Sequence, residues 1–218
     1  MFTQTEENYL KALYHIGKEN NHKEGVGTNE LAAHLAVKPA TANDMLKKLK
    51  EKNLVTYEKY GKIFLSEAGK RIAIEIIRKH RLWETFLYEK LAFSWDEVHE
   101  VAEQLEHIQS TKLIEQLEKF LGYPEVDPHG DPIPDALGRM KQIKRQTLDK
   151  IPVGRTCKLV AVKDSSASFL KYALRLGLGL SSQITIVQKI AFDSSLEIEI
   201  NGIRSTVSQK FAENLFVI

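Results

Sequence analysis

Two histidines and two glutamates gather in the middle of this 218-residue chain: His99, Glu103, Glu106 and His107. On a helix, at about 100° per residue, all four share one arc of about 100°. Just upstream, His80 and Glu84 are four apart and would also be neighbours on a helix. Imidazole nitrogens and carboxylate oxygens grouped in this way can hold a divalent cation. With no cysteine among them, the donors disfavour a structural zinc site and suit Mn(II) or Fe(II). A single His–Glu pair on a charged helix is most often only a solvated pair. Two such helices, joined by a short turn and carrying three of the seven histidines, favour a cation. Asp127 and His129 are further candidate ligands, although a loop Asp-Pro-His by itself is usually turn chemistry.

The charge pattern supports the same reading. The net charge of +2 hides a partition: residues 92–137 carry two lysines against eleven acids, and residues 138–175 carry ten basic and two acidic side chains. Acids clustered beside an apolar seam repel one another unless protons or a cation relieve them. The one cysteine, Cys157, excludes an intrachain disulfide framework. No apolar run reaches the roughly 20 residues that span a bilayer. The polar start MFTQTEENYLKALYHIG lacks the pattern of a signal peptide. A cytoplasmic protein with no membrane partner is expected.

The elements that must position these residues can be read from periodicity and capping signals. Thr3 with Glu6 forms a capping box for a helix over 5–19. Thr28 is expected to cap a second, short helix. Pro39 fits the first turn of a third, Lys-rich helix, and residues 54–57 and 62–65 read as two short strands. Helix, helix, tight turn, helix and hairpin in 70 residues is the pattern of a winged helix-turn-helix. Ser66 is expected to cap a long helix to Leu91, and Ser94-Trp95-Asp96-Glu97 to open one over 94–108. A further helix should end near Gly122. Four prolines then fall between 124 and 134, followed by a basic, exposed linker over 139–150. From Ile151 the chain turns β-rich, with Asn201-Gly202 as a hairpin signal, which suggests a small β-barrel.

Lys79–Glu84 (KHRLWE) followed by Val98–His107 (VHEVAEQLEH), with Gly130-Asp131-Pro132-Ile133-Pro134 downstream, resembles the diphtheria toxin repressor and manganese transport regulator family. The resemblance covers the whole chain. It implies a mainly α protein with a small β domain: a winged helix-turn-helix over 1–70, a helical dimerisation and metal-binding domain over 71–138, a linker over 139–150 and an SH3-like domain of the ferrous-transport-A type over 151–218. It implies that Glu103, Glu106 and His107 form the activating metal site. Glu103 stands where iron-responsive members have Cys and manganese-responsive members have Glu. Asn8 stands where Asp or Met is usual, as a neutral and weaker ligand, and Lys11 stands where one manganese regulator has a Glu ligand. His80, Glu84 and His99 match an ancillary site, joined by Asp127 and His129, with Asp164 as a further matching position.

On this reading the third helix enters the major groove, with Lys38, Pro39, Ala40, Thr41 and Asn43 at its leading end and Lys47, Lys48, Lys59 and Lys62 on phosphates. The expected function is a metal-dependent DNA-binding regulator with no catalytic residues and no small-molecule substrate. It would repress metal-uptake genes in response to Mn(II) or Fe(II), other divalent metals also binding in vitro, as a homodimer on a palindromic operator. The alternative is a metal-dependent hydrolase or oxidase using the same His/Glu cluster.

Overall fold

The computed structural model describes residues 2–19, 25–58 and 61–218, so Lys59 lies outside the described residues. The chain forms two compact units. The first comprises residues up to 80 together with 104–111 and 134–139. The second comprises 81–103, 112–133 and 140–218.

In the first unit, the Thr3 amide donates to Glu6 Oε2 at 3.1 Å and the Glu6 amide to Thr3 Oγ1 at 3.2 Å. This reciprocal pair starts α1 (Gln4–Glu19). Its apolar stripe, Leu10, Leu13 and Ile16, is buried. Helix α2 (Thr28–His34) is capped by Gly27 and not by Thr28. The Gly27 amide donates to Glu30 at 3.1 Å, so the acid one turn in satisfies the cap residue's own N–H, and Thr28 is the first helical residue. Helix α3 (Pro39–Glu51) opens on Pro39 and buries Ala42, Leu46 and Leu49. Strands β1 (Val55–Tyr57) and β2 (Ile63–Leu65) pair antiparallel as a wing. Ser66 then starts α4 (Glu67–Leu91), its Oγ accepting from Gly69 N–H at 3.1 Å.

In the second unit, the expected helix over 94–108 is shorter. Helix α5 spans Val98–Leu105. The Ser94 amide and hydroxyl donate to Glu97, which makes a turn before the helix, and Glu106 and His107 lie in a turn after it. The single-arc arithmetic therefore fails for those two residues. Helix α6 (Thr111–Phe120) precedes the Pro-rich loop. Six antiparallel strands follow in the order β3-β8-β4-β5-β6-β7. They are β3 (Gln146–Thr147), β4 (Thr156–Val162), β5 (Gln183–Lys189), β6 (Leu196–Ile200), β7 (Ile203–Val207) and β8 (Leu215–Val217). Helix α7 (Ala167–Arg175) lies between β4 and β5, and the short α8 (Gln209–Ala212) between β7 and β8.

Asn201 and Gly202 both adopt positive φ, which lets a two-residue turn join β6 to β7 with Ile200 opposite Ile203. Register shifts in β4–β8 and β5–β6 bend the sheet around its core. The expected barrel is not closed: among the described residues no ladder joins β7 to β3, and β3 pairs over only two residues. Nor is 139–150 all exposed linker. Gln146 and Thr147 pair with β8, and Leu148 is fully buried, because the sheet needs a sixth strand and an apolar plug at that end. Among the described residues, no helix is long and apolar enough to cross a membrane.

Candidate metal centre and DNA-facing helix

Some of the sequence-expected ligands belong to the first unit and others to the second. In the second unit, Glu84, Asp127 and His129 each offer a ligand atom, and these atoms all lie within 4.8 Å of one another. All three residues are buried, at 2%, 4% and 3% exposure. Glu84 comes from α4; the other two come from the Pro-rich loop, which folds back through the Val126–Pro132 bridge. Asp127 shapes that loop: its Oδ1 accepts from the amides of His129 and Asp131 at 2.8 and 3.0 Å. Arg81, one turn before Glu84, brings Nε to 3.4 Å from Asp127 and donates to the Pro132 carbonyl.

His129 is oriented from behind. Its ring stacks on Trp95 at 5.9 Å between centroids, and its Nε2 lies 3.1 Å from the Trp95 carbonyl oxygen. A carbonyl only accepts, so Nε2 carries the hydrogen and Nδ1 is the nitrogen left for a ligand. That Nδ1 lies 3.6 Å from Glu84 Oε1. An imidazole lone pair and a carboxylate oxygen held together in a dry site need a proton or a cation between them. Burial first, then the charges of Glu84 and Asp131, push Asp127 up to about 7. For His129, burial opposes the charged form but is outweighed by Glu84 and Asp127, which hold the imidazole above its usual range. In the metal-free chain the site thus retains protons that a divalent cation would replace. Two carboxylates and one imidazole, oriented and buried, fit a Mn(II)- or Fe(II)-type ion.

His99 borders this group, with Nδ1 3.1 Å from Glu84 Oε1 and Nε2 3.6 Å from Glu103 Oε1. Asp164 lies outside it and accepts from the Ser166 amide at 2.8 Å, next to the start of α7. The sheet braces the loop. The Val162 amide of β4 donates to the His129 carbonyl at 3.0 Å. Gly130 sits at φ +81, where a Cβ would lie 2.0 Å from the Val160 carbonyl oxygen. Arg145 donates to the Gly130 carbonyl, reaches Asp131 at 3.7 Å and lies over the Phe216 ring. Sequence reasoning missed Arg81 and Arg145 in these roles. It also placed Trp95 only within the opening turn of a helix, since a carbonyl contact leaves no mark in side-chain spacing.

In the first unit, Glu106 and His107 meet α1. Among the described residues they belong to no equally tight group of three carboxylate or imidazole ligands. Glu106 is fully buried, and His80 Nδ1 lies 2.6 Å from its Oε2. His107 Nδ1 lies 2.6 Å from Glu7 Oε2, a residue that sequence reasoning did not single out. Asn8 Oδ1 is buried with no hydrogen-bond partner. Lys11 contacts Glu106 directly, its Nζ 2.7 Å from Oε1.

Also in the first unit, α3 exposes Pro39, Ala40, Thr41, Asn43, Lys47 and Lys48, with Lys38 exposed just before it. Lys62, beside the wing, is half-buried. The face that α3 leaves open is therefore polar and basic, as a groove-reading helix requires.

Comparison with known proteins matches residues 1–63 to the iron dependent repressor N-terminal DNA binding domain, 66–135 to the iron dependent repressor metal binding and dimerisation domain, and 146–218 to the FeoA domain. An HTH-type transcriptional regulator of Methanocaldococcus jannaschii is 38% identical over 119 residues, 55% of this chain and 94% of that protein. The iron-dependent repressor IdeR of Mycobacterium tuberculosis is 31% identical over 134 residues, 60% of this chain but only 55% of that protein. Among solved structures, a manganese-dependent transcriptional repressor in complex with manganese superposes with a TM-score of 0.83 at 31% identity, covering 98% of this chain and 99% of the other.

Proposed function

Since the chain belongs to the iron-dependent repressor family of DNA-binding transcriptional regulators, we propose that it represses metal-uptake genes in response to Mn(II) or Fe(II), binding a palindromic operator as a homodimer. The observation that carries this reading is the buried Glu84, Asp127 and His129 group, oriented by Trp95 and Arg81. A divalent cation held there would neutralise the two carboxylates and join α4 to the Pro-rich loop. The matched family consists of DNA-binding regulators, and the hydrolase or oxidase alternative has no support.

The residues of α3 perform the DNA half of this function. On this reading Thr41 and Asn43 read base edges, with Pro39 and Ala40 against thymine methyls. Lys38 stands at the leading end of this helix, and Lys47, Lys48, Lys59 and Lys62 supply phosphate contacts. Lys47 is 3.2 Å from Asp44 and 64% exposed, so it can exchange that pairing for a phosphate. Replacing Lys47 and Lys48 together by alanine is expected to weaken binding to all sequences alike and to reduce the salt-dependence slope by about 2. Fluorescence anisotropy across a salt series measures both effects, and an unchanged slope would remove these lysines from the interface.

Tyr88 and Leu91 at the end of α4, Leu113 and Phe120 on α6, and Tyr123 just beyond expose apolar side chains. We assign them to the homodimer contact. Phe120→Asp should raise the dimer dissociation constant by about 30-fold, as expected for a central aromatic anchor. Sedimentation equilibrium reads this directly, and an unchanged dimer would move the interface elsewhere.

The overall reading is tested by titrating metal-free protein with Mn(II) and Fe(II) against a duplex from the region upstream of its own gene. Affinity should rise by about tenfold or more. No response to either metal would overturn it.

A further inference from the structure

Both oxygens of the buried Glu106 accept from a single ammonium, Lys11 Nζ, at 2.7 Å each. Oε2 also lies 2.6 Å from His80 Nδ1. Family resemblance makes Glu106 a ligand of the activating cation, yet here its carboxylate already holds a counter-charge. A second cation drawn to the same oxygens would meet the Lys11 ammonium at short range, where little water screens the repulsion. His107, another of the expected ligands beside Glu103, is engaged as well. Its Nδ1 is 2.6 Å from Glu7 Oε2, and Glu7 Oε1 accepts from Gln109 Nε2 at 2.6 Å. Asn8 Oδ1 has no hydrogen-bond partner, and one neutral amide oxygen makes no site. The donor set around Glu106 does not fit a divalent cation.

Resting on the reading of the chain as a metal-responsive regulator, we propose that Lys11 is a built-in cation that takes the metal's place at Glu106. The consequence follows from what α1 connects. Lys11 ties it to Glu106, and Glu7 ties it to His107 and Gln109. One position before Glu7, Glu6 Oε1 accepts from Lys52 Nζ at 2.6 Å, immediately past the end of α3. The link from the DNA-facing helix to residues 106–109 is therefore made of side chains the protein always carries. It stands in the metal-free state, and metal control falls to ligands other than Glu106, with Glu84, Asp127 and His129 among them.

The test is equilibrium dialysis of the full chain against Mn(II), with free Mn(II) read by electron paramagnetic resonance. Wild type and Glu106→Gln should bind equal amounts. Lys11→Met should take up one further equivalent and lose it again when Glu106→Gln is added. A wild-type equivalent that disappears with Glu106→Gln, or no gain in Lys11→Met, overturns the proposal. Zero Mn(II) in wild type with a gain in Lys11→Met would sink the Glu84, Asp127 and His129 reading while supporting the role of Lys11. Should Lys11→Met not fold, amide hydrogen exchange of the wild-type chain decides. Protection over residues 4–19 should be the same in chelator and in Mn(II), and an increase of about tenfold with Mn(II) overturns the proposal.

Discussion

Asp127→Asn is expected to lower the affinity of the chain for Mn(II) by more than about 100-fold, since losing even a residue that only orients a ligand commonly costs 10–100-fold. Asp127 has a double role: it offers a carboxylate oxygen to the site, and its Oδ1 holds the amides of His129 and Asp131. The asparagine keeps an oxygen for the amides and removes the charge, so loss of binding with an intact fold isolates the electrostatic part. Isothermal titration calorimetry on both proteins checks this, and equal affinities would exclude Asp127 as a ligand. The same carboxyl sets a pH dependence. Burial, with Glu84 and Asp131, raises Asp127 to about 7, and Glu84 and Asp127 raise His129 against its own burial. The folded, metal-free chain therefore binds more protons here than the unfolded chain does. Its stability should fall as pH rises through about 7, and Mn(II) affinity should fall as pH drops below that point. Thermal melts from pH 6 to 8, with chelator and with Mn(II), should show the slope only in chelator.

Gly130→Ala should destabilise the second unit by on the order of 3 kcal/mol, combining left-handed backbone strain with forced displacement of packed neighbours. The added Cβ would lie 2.0 Å from the Val160 carbonyl oxygen and 2.6 Å from the Ala161 Cα. Both are backbone atoms of β4 and cannot swing aside. Gly202→Ala is the matched control. Its φ is +79 and nothing lies within 4 Å of the added Cβ, so only strain remains, about 1 kcal/mol. Denaturant melts of the two variants compare directly, and equal losses would mean that the loop is not clamped against β4. Mn(II) affinity should fall in Gly130→Ala as well, because His129 precedes the displaced residue.

Local structure is legible in the sequence where one turn of chain decides the outcome. The reciprocal Thr3 and Glu6 bonds, the start of α3 at Pro39 and the Asn201-Gly202 hairpin all follow from chemistry within four residues. Reading failed where the outcome depends on distant partners. Leu148 looked like part of a charged linker, and its burial is decided by a sheet whose other strands come later in the chain. Glu106 and His107 continue the helical spacing of His99 and Glu103, yet α5 stops at Leu105 and both side chains turn to α1. The residues around Lys11 do not mark it as the partner of a glutamate 95 residues away; only the family resemblance puts it at a ligand position of that site. The ligand types of Glu84, Asp127 and His129 were legible one by one; the carbonyl of Trp95 that fixes His129 was not.

The hydrogen bond from Val162 to the His129 carbonyl ties the six-stranded sheet to the proposed cation site. If docking of the sheet sharpens metal affinity by some factor, metal must tighten docking of the sheet by that same factor. Each then acts as an effector of the other: a substitution in β4 far from any ligand atom can retune the metal threshold of the switch without altering its chemistry, and the sheet becomes the place where metal sensitivity can be adjusted while the ligands stay unchanged.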